Sequence, residues 1–119
     1  MKSIFEEVFT TIEKRKTEIN DKEKSKNSYV ISLLLAGDQK ILDKIKEECA
    51  EIVEAIDKNE SKDRVIHETC DLLFHLFVLC AKKDITLQHL QRELKKRHGI
   101  SGIEEKRNRK IEGKNAPSR

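Results

Sequence analysis

The chain has 119 residues, of which 39% are charged, 36% hydrophobic and 4% aromatic, and its formal net charge is +3. One proline and four glycines in this length favour a single all-helical domain. The longest strongly apolar run, residues 72–81, contains His75 and is too short to cross a bilayer, which argues against a membrane protein. Acidic residues near Met1 and an odd number of cysteines predict a cytoplasmic protein whose thiols are reduced and buried.

Apolar residues at helical spacing predict five helices, four main ones and one short one. In chain order they cover residues 3–19, 29–36, 38–57, 63–83 and 86–98, and residues 20–27 are expected to form a loop. Ser28 is expected to cap the short helix and Gly37 to end it. Asp38 and Asp63 are expected to cap the next two helices. The fold class is therefore all-α.

The predicted helix over residues 38–57 carries acidic residues on its apolar face. At 100° per residue, Glu48 falls inside the apolar stripe and Glu51 lies beside it. Glu47 and Glu54 point further out. The stripe itself consists of four isoleucines: Ile41, Ile45, Ile52 and Ile56.

The predicted helix over residues 63–83 is apolar around most of its circumference. One narrow polar strip interrupts it, consisting of Arg64, Glu68, Asp71 and His75. Because a helix that is apolar nearly all round is normally buried, we expect this strip to face the protein interior.

Four carboxylates are therefore expected to converge from the two helices: Glu48, Glu51, Glu68 and Asp71. Ionised carboxylates in an interior must be paired, neutralised or bound to a metal. Oxygen ligands favour a hard divalent cation, so we predict Mg²⁺, with Mn²⁺ as an alternative. The competing interpretation is a solvated face made of Glu47, Glu51 and Glu54, which pair with lysines such as Lys44 and Lys58.

Charge is distributed unevenly along the chain. From Lys95 onward there are nine Lys and Arg residues against three Glu, while the preceding residues are net acidic. An acidic body with a basic C-terminal arm suits an anionic ligand. We expect residues 1–109 to form the domain and residues 110–119 to be a disordered basic tail.

The carboxylate pattern resembles the signature of the all-α, MazG-like nucleotide pyrophosphohydrolase superfamily, Glu-Glu-x-x-Glu followed by Glu-x-x-Asp. It occupies residues 47–51 and 68–71. Four further segments resemble the phosphoribosyl-ATP pyrophosphohydrolase family of histidine biosynthesis: Ser28-Tyr29, residues 71–76, Arg97-His98-Gly99 and residues 101–109. The chain departs from this family at Val30, Lys46 and Phe74, where Thr, Gly and Tyr are usual.

The resemblance implies a MazG-like helical bundle assembled as a homodimer, and hydrolysis of phosphoribosyl-ATP to phosphoribosyl-AMP and pyrophosphate. It implies Mg²⁺ bound by Glu48, Glu51, Glu68 and Asp71. The attacking water would be ordered by Glu47 or by one of the metal-bound carboxylates, and the sequence does not choose between them. The candidate substrate contacts are Tyr29, Lys44, His75, Arg97, Ser101, Lys106 and Arg109.

Three of these contacts also have plain structural interpretations. His75 either supports a ligand carboxylate, contacts substrate, or is a hydrogen-bonded core histidine. Tyr29 either stacks on a base or packs beneath the short helix. Arg97 either contacts substrate or, near a helix C-terminus, only interacts favourably with the helix dipole.

Two other functions compete with this one. The same carboxylates would serve a housekeeping pyrophosphohydrolase acting on nucleoside triphosphates. A non-catalytic helical protein with a nucleic-acid-binding basic arm is the second alternative. Few aromatic residues are available for stacking, and carboxylates on a buried face would repel phosphate without a metal, so we expect no nucleic-acid partner.

Overall fold

The computed structural model describes residues 2–99, and the chain divides into two compact units, residues 1–86 and 87–119. All regular structure among the described residues is helical. The helices are α1 (Ile4–Thr17), α2 (Lys22–Lys26), α3 (Tyr29–Ala36), α4 (Asp38–Asp57), α5 (Lys62–Lys82) and α6 (Leu87–Arg97). None of these described helices is both long enough and apolar enough to cross a membrane.

All five predicted helices are present, with ends within two residues of those expected. The expectation of a loop over residues 20–27 is wrong, because α2 lies within it. The Asp21 side chain caps this helix by accepting hydrogen bonds from the backbone amides of Glu23 and Lys24, at 3.0 and 3.2 Å. Residues 20–27 lack apolar periodicity, so Asp21 as a helix cap was the one sequence feature that indicated this helix.

The helix caps were predicted with mixed success. Ser28 caps α3 as expected, accepting a hydrogen bond from the Ile31 amide at 3.2 Å. The cap of α5 is Ser61 and not Asp63. Asp38 makes no cap hydrogen bond. Its carboxylate instead forms ion pairs with Lys82 and Lys83, which join the start of α4 to the end of α5.

Helix α5 lies at the centre of the first unit. Pairing of Asp38 with Lys82, and of Glu51 with Glu68, shows that α4 and α5 run antiparallel. On another side of α5, Phe9 of α1 packs against Phe77 with ring centroids 5.1 Å apart. The buried core consists of Ile12, Leu33, Leu34, Ile41, Val78 and Ala81. Burying each large aliphatic side chain contributes about 1.5–3 kcal/mol, so this cluster holds α1, α3 and α4 against α5.

Helix α5 is less completely buried than its composition suggested. Cys70 is exposed, and so is Cys49 on α4, so the expectation of buried thiols is wrong for both. Cys80 is partly buried. On α1, Phe5 remains 54% exposed. An apolar groove of about 320 Å³ runs between α1 and α5, lined by Ile4, Phe5, Val8, Cys70, Leu73, Phe74 and Phe77.

A buried carboxylate joins the end of α1 to α2. Glu18 lies 2.7 Å from the Arg15 guanidinium and 2.5 Å from the Lys24 ammonium. Hydrogen bonds from Lys24 and then Arg15 hold the pKa of Glu18 below its usual value. A carboxylate at a helix C-terminus is disfavoured by the helix dipole, so these two cations are what make the position favourable.

We expect Glu18→Gln to lower the thermal midpoint of unfolding at neutral pH. A depressed carboxyl pKa stabilises the folded state above the unfolded-state pKa, and this stabilisation is lost as the pH falls through the folded-state value. The difference from wild type should therefore shrink in acid. Thermal melts by circular dichroism at several pH values would measure it, with Glu13→Gln on the same helix as control. A constant difference at all pH values would contradict the ionic explanation.

Candidate active site

The antiparallel packing of α4 and α5 brings the four predicted carboxylates together. Glu51 faces Glu68, and Glu48 lies close enough to Asp71 for their charges to interact. The i, i+3 spacing on each helix places each pair on one face, and the two faces oppose each other. The convergence expected from the sequence is therefore present.

Glu48 and Glu68 are the buried members of the group, each 6% exposed. Both have a side-chain oxygen that is buried and accepts no hydrogen bond from a donor among the described residues: Oε1 of Glu48 and Oε2 of Glu68. Buried polar atoms are normally hydrogen-bonded, so two such atoms on neighbouring helices indicate a missing partner.

His75 contacts Glu48 from the interior side of the site. Its Nδ1 atom lies 2.8 Å from Oε1 of Glu48 and 2.9 Å from the backbone carbonyl oxygen of Asp71. Both oxygens are acceptors, so Nδ1 carries the proton. The N–H is directed to the carbonyl, which leaves Oε1 close to the ring without a well-aligned hydrogen bond.

Tyr29 of α3 extends this chain of contacts outward. Its hydroxyl lies 3.0 Å from Nε2 of His75 and, with a neutral imidazole, donates to it. The tyrosine ring stacks on Phe74, with centroids 6.1 Å apart and an angle of 15° between the planes. His75 is thus a buried and hydrogen-bonded residue that also touches a candidate ligand.

Burial dominates the acidity of Glu48. It raises the pKa of this carboxyl, the adjacent His75 lowers it, and the charge of Asp71 raises it again. The net effect is a raised pKa, which means that the folded protein disfavours the ionised form.

Glu51 and Glu68 lie against each other across the helix interface. Their side chains are within hydrogen-bonding reach, and this contact raises the pKa of Glu51 and lowers that of Glu68. Burial and the charges of Glu68 and Glu47 raise the pKa of Glu51 further. The ionised form of Glu51 is therefore disfavoured, as expected for crowded carboxyl groups with little positive charge nearby.

Arg64 supplies the nearest fixed positive charge. Its Nε atom lies 3.1 Å from Oε1 of Glu68, and its guanidinium also lies 3.4 Å from Glu60. Arg64 belongs to the polar strip recognised in the sequence, but its pairing with Glu68 was not predicted. The i, i+4 spacing of the two residues was the available signal.

Asp71 lies at the exposed edge of the site, with its side chain 44% exposed. Its Oδ2 atom is 3.3 Å from Nε2 of His67. In the sequence, His67 begins an incomplete zinc-protease motif, His-Glu-x-x-His, in which Asp71 replaces the second histidine, so it was not among the predicted site residues. His67, Glu68 and Asp71 each offer a ligand atom, and these three atoms lie within 4.8 Å of one another.

These groups fit a hard divalent cation. Four carboxylates from two helices provide oxygen ligands, and two of them keep buried oxygens without a hydrogen-bond donor in the described part of the chain. A bound cation would satisfy those oxygens and reduce the repulsion between Glu51 and Glu68. Arg64 alone does not balance four carboxylates.

The more outward acids form ordinary surface ion pairs. Lys44 lies 3.8 Å from Glu47, and Lys58 lies 2.8 Å from Glu54. These two ion pairs are the ones that the solvated-face interpretation expects. Glu47 nonetheless acts on the site, because its charge helps to raise the pKa of Glu51. Lys44 acts on it too, by lowering the pKa of Glu48.

The remaining candidate contacts are placed as follows. Tyr29 is exposed at the border of an open cleft of about 590 Å³, which Arg15, Lys24 and Ser28 also line. Arg97 lies in the second unit, where it pairs with Glu93 at 3.0 Å. Ser101, Lys106 and Arg109 lie outside the described residues.

Comparison with known proteins identifies relatives over most of the chain. The family model for phosphoribosyl-ATP pyrophosphohydrolase matches residues 5–98. A phosphoribosyl-ATP pyrophosphatase of Bacillus cytotoxicus is 40% identical over 108 residues, covering 90% of this chain and 95% of the relative. Proteins with the same name from Nitrosomonas eutropha and Vesicomyosocius okutanii are 40% and 44% identical, covering 84% and 82% of this chain and 87% and 88% of their own lengths.

We expect Mg²⁺ to stabilise the protein and Glu51→Gln to remove that effect. Binding only to the folded state at a hundredfold excess over Kd adds about 2.7 kcal/mol, or a rise on the order of 10 °C in the thermal midpoint. Without Mg²⁺, the variant should be at least as stable as wild type, because the substitution removes one of two adjacent carboxylates and the Gln amide can donate a hydrogen bond to Glu68. Differential scanning fluorimetry measures both effects.

The matched control is Glu54→Gln, which removes an exposed carboxylate of the same helix. It should respond to Mg²⁺ as wild type does. Equal Mg²⁺ responses in Glu51→Gln and wild type would show that Glu51 is not a ligand.

Proposed function

The chain belongs to the phosphoribosyl-ATP pyrophosphohydrolase family, and from this premise we propose that it hydrolyses phosphoribosyl-ATP to phosphoribosyl-AMP and pyrophosphate. The observation that carries the proposal is the convergence of four carboxylates with buried, unsatisfied oxygens on Glu48 and Glu68. Hydrolysis of a triphosphate needs neutralisation of charge and in-line positioning more than covalent help from the protein.

We propose Mg²⁺ as the metal, with Mn²⁺ able to replace it. The ligands would be the four converging carboxylates: Glu48, Glu51, Glu68 and Asp71. When bound, the cation supplies charge neutralisation for the phosphate oxygens and lowers the pKa of a bound water. Mg²⁺ prefers oxygen ligands, so binding it here needs no nitrogen ligand from the protein.

The protein residues around this site have distinct tasks. His75 lies against the Glu48 carboxylate and Tyr29 holds the His75 ring through a hydrogen bond, so these contacts would limit the movement of Glu48 before substrate binds. Arg64 restrains Glu68 through a hydrogen bond to Oε1 and leaves Oε2 for the cation. The catalytic group would be the four proposed ligand carboxylates together with Glu47. Glu47 is exposed and would order the attacking water or accept its proton.

Substrate would approach from the exposed side of the four carboxylates. Lys44 is close enough to Glu47 to contact a phosphate at this side. The cleft beside Tyr29 has room for the remainder of the nucleotide, and the half-exposed ring offers a surface for stacking. Four residues named in the sequence analysis are also proposed as substrate contacts, on the phosphoribosyl phosphate: Arg97, Ser101, Lys106 and Arg109.

The housekeeping alternative differs only in substrate. The same carboxylates would serve hydrolysis of an ordinary nucleoside triphosphate, so kcat/KM decides between the two. We expect kcat/KM for phosphoribosyl-ATP to exceed that for ATP and dCTP by at least about a hundredfold, the effect of a few charged contacts. Comparable values for all three substrates would favour the housekeeping function.

We further propose that the protein is a homodimer in the cytoplasm. The groove between α1 and α5 is apolar and borders the exposed Ile4 and Phe5 side chains. A second copy that presents the same face would bury both grooves in one two-fold interface. Exposed free thiols at Cys49 and Cys70 suit a reducing compartment.

Removing any one metal ligand should abolish most activity. We expect each of Glu48→Gln, Glu51→Gln, Glu68→Gln and Asp71→Asn to lower kcat/KM by about a hundredfold or more, since outer partners of metal ligands alone are worth about tenfold to a hundredfold. Pyrophosphate release from phosphoribosyl-ATP measures this. Glu47→Gln should also be severe, and Glu54→Gln should be mild because its carboxylate pairs with Lys58. Near-normal turnover in a ligand variant would remove that residue from the site.

Phe5→Glu should convert the dimer to a monomer at micromolar concentration. The new charge would be buried in the interface, whereas in the monomer an acid in the first turn of a helix is favourable. Sedimentation velocity distinguishes the two states. Val53→Glu, at an exposed apolar position of α4 outside the groove, is the control. If Phe5→Glu forms dimers with the same dissociation constant as wild type, the interface lies elsewhere on the protein.

A further inference from the structure

The exposed edge of the acidic site contains a nitrogen donor that the proposed Mg²⁺ chemistry does not use. His67 precedes Glu68 on α5, and its side chain is 71% exposed. Seen along the helix axis, Asp71 lies between His67 and Glu68, so the three side chains share one sector of the surface. Their ligand atoms lie within 4.8 Å of one another, a span that one cation with bonds of about 2.1 Å bridges after small rotations.

A second observation points to a ligand at this position. Glu68 is buried, and its Oε2 atom accepts no hydrogen bond from a donor in the described residues. Arg64 holds the other oxygen, Oε1, at 3.1 Å. The carboxylate is therefore fixed in orientation while one of its oxygens still needs a partner.

The simplest alternative is a surface ion pair between His67 and Asp71. Pairs at i, i+4 on an exposed helix are worth about 0.3–0.5 kcal/mol, and only when the histidine is protonated. Such a pair leaves Oε2 of Glu68 unsatisfied. A cation held by the three residues would satisfy Oε2 and use the neutral imidazole.

The donor set also determines which cation fits. Mg²⁺ selects oxygen ligands and gains little from an imidazole, whereas Ni²⁺, Co²⁺ and Zn²⁺ bind imidazole nitrogen well. An accessible histidine beside two carboxylates thus widens the range of metals that the site accepts. The spacing His-Glu-x-x-Asp differs from the zinc-protease motif in its second histidine, so one nitrogen and two carboxylates result.

We propose that His67, through Nε2, joins Glu68 and Asp71 as a metal ligand and gives the site a preference for nitrogen-binding divalent metals that its carboxylates alone would lack. The inference rests on the metal site of the proposed function and adds a residue to it. It assigns His67 a role in metal selection and leaves the hydrolysis itself to the carboxylates.

The test is calorimetric titration of the full-length, metal-free protein with Ni²⁺ alone and with Mg²⁺ alone. In His67→Gln, we expect the Kd for Ni²⁺ to rise by about tenfold or more, while the Kd for Mg²⁺ changes by less than about threefold. His89→Gln, which removes an exposed histidine of α6, is the matched control and should bind Ni²⁺ like wild type. Glu68→Gln should weaken both metals.

The outcomes separate this inference from the proposed function. Unchanged Ni²⁺ binding in His67→Gln, with weakened binding in Glu68→Gln, would overturn the role of His67 and leave a surface ion pair only. Equal weakening of Ni²⁺ and Mg²⁺ in His67→Gln would also overturn it, because a general loss is not metal selection. Failure of the proposed function would appear separately, as absence of phosphoribosyl-ATP hydrolysis by wild type with Mg²⁺.

Discussion

Repulsion among carboxylates across the α4–α5 interface is the constraint on which the rest of the first unit depends. Two like charges about 4 Å apart repel by roughly 4 kcal/mol at an effective dielectric constant of about 20. An exposed ion pair stabilises the folded state by only about 0.2–1 kcal/mol, so a few surface ion pairs do not offset this repulsion. Apolar packing must therefore hold the two helices together. The buried cluster around Ile41 and Val78, together with the ion pairs of Asp38 at the far end of the interface, provides that hold.

The protein lowers this repulsion by different means at each level of the site. Contact with Glu68, and then burial, raises the pKa of Glu51, Arg64 holds one oxygen of Glu68, and burial raises the pKa of Glu48. Each of these effects lowers the repulsion while the carboxylates stay on facing helices. A cation bound between them would lower it further, and the hydrogen bonds that orient Glu68 and His75 are present before it binds.

Sequence periodicity predicted the helices and the converging carboxylates because both follow from residue spacing along one helix. Contacts between helices do not follow from spacing. The hydrogen bond from Tyr29 to His75 depends on where α3 crosses α5, and burial of Glu18 depends on α2 folding back with Lys24. The apolar content of α5 also gave a wrong prediction, namely that Cys70 is buried. Cys70 is exposed because one chain alone cannot cover every side of this helix.

The gradient of exposure across the site determines the direction from which reactants arrive. Glu48 and Glu68 are both buried, and His75, itself hydrogen-bonded to Tyr29, lies against Glu48, whereas Asp71 and His67 lie at the surface. A cation bound between these extremes would have rigid ligands on its inner side and solvent on its outer side. Because the outer side faces solvent, a phosphate oxygen and a water would be able to reach such a cation without displacing a buried residue. The hydrogen bond between Tyr29 and His75 thus connects the cleft beside Tyr29 to Glu48, a carboxylate that we propose as a buried ligand of the metal.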